Sequence, residues 1–401
     1  MRISTAQMFN QNVTSVLQKQ TETAKILEQL SSGKKVNTAG DDPVAAIGID
    51  NLNQQNALVD QFVKNIDYAT NHLSVAENKL GNAENLVTGI REQILRGING
   101  TLSSSERQMI ADEMRASLKE LQLIANSQDE SGNYLFGGFN TDSQPFAFDN
   151  TGIMVYSGDN GIRNSVIASD VVIGTNIPGD SAFMNAPNAM GDYGVNYLAT
   201  QQGSFTVDSA KITNPATHVA DTYSFNFIDN GAGGVNLEVR DSSATLVSAV
   251  ANFDATNPVS FNGIEVKIDG KPMAGDAFSM KPQATSSIFD TVNQAIALLE
   301  DPTLVDSAAG MSKLAQLLND TDSGINQISI GRSIAGNSLK SIESYATRHE
   351  EEKVVNTSTL SMLEDLDYAS AITEFEKQQL ALNAVSNVFS RVGSVSLFDF
   401  I

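Results

Sequence analysis

The sequence predicts an α+β protein: a long antiparallel helical rod, or coiled-coil bundle, built from both ends of the chain and carrying an inserted mainly-β domain. Three observations predict it. The first 126 residues hold a single proline, Pro43, among strong helix formers. From about Tyr134 to Lys281 the texture changes to Gly, Asn, Asp and Thr clusters between short β-branched or aromatic runs. From about Ser286 it turns helical again, and the helical arms carry apolar residues spaced alternately three and four apart. The expected boundaries are 1–43 with 357–401 for the terminal helices and 44–140 with 283–356 for the rod. The β-rich part takes 141–282, with a division into two subdomains near 181–186.

The strongest periodic signal lies in the first arm. Val59, Phe62, Ile66, Ala69, Leu73, Ala76, Leu80, Ala83, Val87, Ile90 and Ile94 alternate in steps of three and four, the seam of a helix packed along its length. A helix from Val44 to about Ile98 would run roughly 80 Å at about 1.5 Å per residue, too long for a compact domain. Its start is marked by Asp41 and Asp42, which can accept from free amides, and by Pro43, whose missing donor costs nothing at the first helical position. Gly97, Asn99 and Gly100 mark its stop. Ser103 with Glu106 reads as a capping box opening a second helix, whose core stripe is Ile110, Met114, Leu118, Leu121 and Ala125.

Between the arms, strands are expected at Gly152–Tyr156, Val166–Ile173, Ser204–Val207, Thr222–Ile228, Val235–Val239, Ile264–Ile268 and Ala277–Met280. The turns between them include Asp229-Asn230-Gly231, Asn262-Gly263 and Asp269-Gly270. Asp241–Phe253 reads equally as helix or strand. In the second arm the expected seam is Leu304, Ala308, Met311, Ala315, Leu318, Asp322 and Ile325, with Asp322 its one interruption, and it resumes at Leu339, Ile342 and Ala346. The last helix shows Ala371, Phe375, Gln378, Leu382, Val385, Phe389 and Val392. An apolar tail, Ser396 to Ile401, follows it.

The terminal segments 1–37 and 365–401 are amphipathic without an evident partner in the rod. A lone helix of that kind is marginal in water. They are therefore expected to be frayed in the monomer and to order against each other or against neighbouring subunits. The stripe Ile3, Val13, Val16, Leu27 and Leu30 is expected to meet Phe375, Leu382, Val385 and Phe389 in that assembly interface.

Composition narrows function mainly by exclusion. The 401 residues carry 25 Lys+Arg against 47 Asp+Glu, a formal charge of −22, which opposes nucleic acid or an anionic membrane surface as partner. Without a single Cys there is no disulfide, thiol nucleophile or Cys-ligated metal. No apolar run is long enough to insert in a membrane, and no cleaved secretory signal opens the chain. Taken alone, these features point to the cytoplasm. His72, His218 and His349 sit on different segments without ligand spacing, so no metal site is expected. Asp320-Thr321-Asp322-Ser323-Gly324 fails as a calcium loop at its fifth and twelfth positions. Gly33-Lys34 lacks the rest of a phosphate loop, and no Gly-x-Ser-x-Gly elbow occurs. Neither catalysis nor a cofactor is expected. Asn99-Gly100-Thr101 and Asn356-Thr357-Ser358 match the glycan sequon, and Glu350-Glu351-Glu352-Lys353 reads as a solvated helix face.

Particular motifs point further. The passage Leu30-Ser31-Ser32-Gly33-Lys34-Lys35-Val36-Asn37-Thr38-Ala39-Gly40-Asp41-Asp42-Pro43 resembles the bacterial flagellin family. So do the opening Met1-Arg2-Ile3-Ser4-Thr5, the Asn99-to-Ser103 joint, Gly132-Asn133-Tyr134-Leu135-Phe136-Gly137-Gly138 and the close Ser396-Leu397-Phe398-Asp399-Phe400-Ile401, which are most similar to the family's hook-associated members. The resemblance covers about the first 140 and last 115 residues. It implies a structural protein of the hook–filament junction, exported by the flagellar type III pathway without a cleaved signal, which reverses the cytoplasmic expectation. It implies a ring of subunits between hook-associated protein 1 and flagellin, with terminal helices in the inner tube, the helical rod in the next shell and the β domain outside. An export chaperone at the C-terminal helix is implied as well. Flagellin itself, or an adhesin-like surface module using the β block, are the alternatives.

Overall fold

The computed structural model describes residues 5–98 and 102–394. Ile3, the middle of the Asn99–Ser103 joint with its Asn99 sequon, and the apolar tail lie outside the described residues. Contacts divide the chain into two compact units, residues 1–64 with 344–401 and residues 65–343.

The terminal unit is helical. It holds α1 (Thr5–Ser32), the first part of α2 (Pro43–Gly97), the last part of α5 (Ala308–Glu364) and α6 (Tyr368–Ser394). Each boundary has a local cause. Gly33 ends α1 at φ +71°, a left-handed conformation that suits glycine, and its amide donates to Gln29 O at 2.9 Å. Asp42 Oδ1 accepts from the amides of Val44 and Ala45 at 3.0 Å each, so Pro43 sits at the first helical position as expected. Asp367 opens α6 in the same way, accepting from the amides of Ala369 and Ser370.

The central unit holds the rest of α2, α3 (Ser104–Ala125), α4 (Ile288–Glu300), the first part of α5 and all the strands. The α2 seam is buried as the spacing predicts, with Leu73, Leu80, Ala83, Val87, Ile90 and Ile94 at 0 % exposure. The Ser103–Glu106 capping box forms, and the α3 stripe Ile110, Met114, Leu118, Leu121 and Ala125 is buried.

The α5 seam differs from expectation. Met311, Ala315, Leu318, Asp322 and Ile325 are only half-buried, while the buried line is Leu317, Thr321, Gly324, Ile328, Gly331, Ala335 and Ile342. That line alternates three and four as far as Ala335, but small or polar residues fill more than half of it. A hydrophobicity reading slides to the larger side chains beside it. Gly324 is needed for space: a Cβ there would lie 2.6 Å from Ile288 Cδ1 on α4. Asp322 does not interrupt the seam, since it flanks it and pairs with Arg91 of α2.

The strands pair antiparallel. β1 (Phe146–Phe148) and β2 (Met154–Tyr156) make one hairpin, and β3 (Asn164–Ala168) and β4 (Val171–Gly174) another. The single strand expected at Val166–Ile173 is thus two, folded at Ser169-Asp170 with Asp170 at φ +63°. An Asp tolerates that conformation without the Gly or Asn signal that usually announces a turn. A π-helical turn spans Asp180–Met184, and β5 (Ala186–Pro187) pairs with β14 (Thr285–Ser286). The remaining strands are β6 (Tyr193–Tyr197), β7 (Ser204–Ile212), β8 (Tyr223–Asp229), β9 (Val235–Arg240), β10 (Leu246–Val250), β11 (Val259–Phe261), β12 (Ile264–Lys271) and β13 (Ala277–Pro282). They form a five-stranded sheet, β10-β9-β8-β13-β6, and a three-stranded sheet, β11-β12-β7. Asp241–Phe253 resolves as a turn and β10. Asn262-Gly263 turns β11 into β12 with both residues at positive φ, as the dipeptide predicts. An aromatic core joins the two sheets, in which Phe225 stacks on Phe278 at 4.3 Å and Phe205 meets Phe227 at 5.3 Å.

Candidate assembly face

The terminal unit leaves large apolar side chains open on its surface. α1 and α6 run antiparallel against each other. Leu366 donates its amide to Gly33 O at 3.0 Å, Lys35 donates its own to Glu364 O at 2.7 Å, and Lys19 Nζ reaches Gln378 Oε1 at 3.1 Å. At the base of the pair Lys34 meets Glu364 at 2.9 Å and Lys35 Nζ donates to Met362 O at 2.6 Å. Lys25 pairs with Asp41 at 2.8 Å. With the amides of Thr38 and Asn37, it holds that carboxyl far below its ordinary range. Gly33 also fits this joint closely, since a Cβ there would lie 2.9 Å from Tyr368 Oη.

The facing sides follow a helical rhythm. On α1, Val13, Val16, Lys19, Thr23, Ile26 and Leu30 are half-buried; on α6, Phe375, Gln378, Leu382 and Val385 are half-buried and Ala371 is buried. Of the stripe expected from the sequence, Val13, Val16 and Leu30 thus lie on the α1 side facing α6, whereas Leu27 is 56 % exposed. Phe375, Leu382 and Val385 lie on the matching side of α6. Ile3 and the Phe389 side chain fall outside the described residues. Ile26 was missed, although it stands three after Thr23 and four before Leu30. Counting that rhythm through the polar positions would have found it.

The pair buries little. Among its described side chains no α1 residue is fully buried, and Leu17 at 58 %, Leu380 at 70 % and Val388 at 53 % stand open. In the rest of the unit Val44, Ile47 and Met362 are also more than half exposed. Charge is placed to match. None of residues 5–18 or 378–390 is charged, in a chain whose formal charge is −22. These two stretches lie alongside each other, because the pair is antiparallel about Lys19 and Gln378. Neutral Gln, Asn, Ser and Thr cost far less to desolvate than charges, so this end of the pair can be covered by another surface. Each Leu or Val so covered contributes about 1.5–3 kcal/mol.

The sites considered for chemistry are scattered. His72 packs on Tyr68 at 4.3 Å with Asp129 at 3.9 Å, His218 meets Tyr193 Oη at 2.8 Å, and His349 stacks on Phe62 at 5.5 Å. Among the described residues no three His, Cys, Asp or Glu side chains gather as a metal site would need. No described helix is long and apolar enough to cross a membrane. Asn356 of the second sequon is buried within α5, its amide donating to Asn56 Oδ1 at 3.1 Å, which leaves no room for a glycan. Glu350, Glu351 and Glu352 are exposed, as a solvated face should be.

Comparison with known proteins gives the same direction. Residues 3–141 match the bacterial flagellin N-terminal helical region. The chain is 25% identical over 400 residues to flagellar hook-associated protein 3 of Escherichia coli strain K12, covering 100% of this chain and 99% of the relative. Flagellin B of Vibrio anguillarum is 25% identical over 380 residues, 92% of this chain and 90% of that one. The crystal structure of the flagellar junction protein FlgL from Legionella pneumophila superposes with a TM-score of 0.68 at 29% identity, over 79% of this chain and 100% of that one. The resemblance to the bacterial flagellin family, and within it to the hook-associated proteins, is borne out.

Proposed function

We propose that this chain is the structural protein of the hook–filament junction in the bacterial flagellum. It links hook-associated protein 1 on one side to flagellin on the other, as a ring of copies outside the cell. Its role is mechanical rather than catalytic. The observation that carries the reading is the neutral, apolar-striped end of the α1–α6 pair, set in a strongly acidic chain that resembles hook-associated proteins over its whole length. Covering Leu17, Leu380 and Val388 against neighbouring copies converts exposed area into subunit cohesion, while like charge elsewhere keeps free monomers apart. Export through a narrow channel suits a chain whose terminal helices hold each other only loosely. An export chaperone covering the C-terminal helix beforehand fits the same exposed stripe.

A tagged copy on isolated flagella tests the reading. The expected result is a single point beside the hook, together with filaments shed by cells lacking the gene. Label along the whole filament, with self-polymerisation of the purified monomer, would instead make the chain a flagellin.

A further inference from the structure

The central unit contains a polar crevice of about 630 Å³ between one edge of the five-stranded sheet and helices α4 and α5. That is the size of sites that hold one small molecule, roughly 300–1,000 Å³. Its inner wall includes Asp320 and Gln316, each only 6 % exposed. Lys313 lines the crevice too, and the bond its ammonium makes is a long one, to Gln316 Oε1 at 3.5 Å. Asp320 accepts through Oδ1 from the Ala189 amide at 3.2 Å and closes no ion pair with Lys313. Asp290 spends Oδ1 on the Met154 amide at 2.9 Å, and the Ser286 hydroxyl oxygen is buried without a hydrogen-bond partner among the described residues.

The crevice therefore presents unspent donors and unspent acceptors side by side. Lys313 and Lys281 are balanced by Asp290 and Asp320, and neutral amides and hydroxyls such as Asn196, Gln294 and Thr222 outnumber all four. An anion would face two carboxylates and a cation two ammoniums. A hydroxyl group satisfies both kinds of wall at once, because it donates and accepts from the same atom. Val195 and Leu317 supply apolar surface for the C–H faces of a ring. Burial also raises the Asp320 and Asp290 carboxyls and lowers the Lys313 ammonium, which suits a neutral occupant.

We propose that this crevice is a binding site for a small neutral polyhydroxylated ligand, a mono- or disaccharide. The site lies wholly within the central unit, so it stands or falls independently of the assembly role. The full-length protein would be titrated with glucose, N-acetylglucosamine and maltose, using saturation-transfer NMR and calorimetry, with glycine and acetate as zwitterionic and anionic comparisons. The expected result is saturable binding of at least one sugar, weakened about tenfold or more in Asp320→Asn and Lys313→Met, a loss of about 1.4 kcal/mol per tenfold. Thr285→Trp, at an exposed rim position, should block the crevice and abolish binding with no change in the melting temperature. That variant guards against misfolding of the buried ones. Absence of binding by all three sugars, binding unchanged in Thr285→Trp, or binding of glycine in place of the sugars would each overturn the proposal.

Discussion

Two stretches of helix in this protein obey the same three–four spacing and end in opposite conditions. Along α2 in the central unit, Leu73 through Ile94 are sealed, with seven successive seam residues between 0 and 3 % exposed. Along α1 and α6 in the terminal unit, the corresponding stripes stop at half-burial and leave Leu17, Leu380 and Val388 open. The difference lies in the neighbours. The α2 seam meets partners from the same chain, including α5, whose Arg332 clamps Glu77 at 2.7 Å and Glu84 at 3.2 Å along one flank of the seam. Two lone helices can cover only one side of each other. Periodicity therefore states that a face will be covered, and only the count of available helices states by whom.

The largest effect expected on that contrast is all-or-none. Replacing Leu382 and Val385 together by Asp should leave a soluble, folded monomer that never enters the flagellum, scored by immunogold labelling. Incorporation of that variant would show that the terminal pair is already complete. Next in size, Leu80→Ala in the sealed seam should cost about 2–5 kcal/mol in urea denaturation, because Leu80 is 0 % exposed and its cavity cannot refill from solvent. A much smaller loss would mean that the seam is as loose as the terminal pair. Ser103→Ala removes the capping box that aims α3 and should cost about 1 kcal/mol in the same assay.

The smallest effect is a pH dependence at the terminal joints. The Asp367 carboxyl is held below its usual range, first by the Ser370 hydroxyl and then by the amides of Ser370 and Ala369; Asp41 is held down by Lys25 and its neighbouring amides. A lowered folded-state value means that the stabilisation is whole above the unfolded carboxyl range, near pH 4, and fades as the pH falls below it. Amide exchange at Ala369 and Ser370 should accelerate, relative to intrinsic rates, between pH 5 and pH 3. Asp367→Asn should remove that dependence, while α2 seam amides hold steady. Equal acceleration in both places would erase the distinction.

Much of this was legible in advance where the cause is local. Pro43 after two aspartates, Ser103 with Glu106, and Asn262-Gly263 each carry their structure in a few adjacent residues, and each forms as read. Legibility failed where burial is imposed from outside. The α5 seam runs through Thr321, Gly324 and Gly331 because α4 and other elements press close there, and no scale of hydrophobicity marks a glycine as core. Leu27 looked like interface on its side chain alone, yet Ile26 holds the facing position, since one residue rotates the helix by about 100°. The crevice was not legible at all: Lys313 and Asp320 stand on α5, Ser286 and Asp290 at the start of α4, and only packing against β6 and β13 makes them the wall of one cavity.

By itself, then, the amino-acid order determined the long helices and several of the strands, the acidic charge, the neutral ends of the terminal helices and the seam of α2. All of these depend on short-range period, capping and composition. Only the tertiary structure decided which side of α5 is buried, which of two adjacent residues on α1 faces α6, and that polar side chains of α4 and α5 line one cavity against the sheet edge. Those outcomes depend on how elements remote in sequence crowd one another, and crowding leaves no local signature.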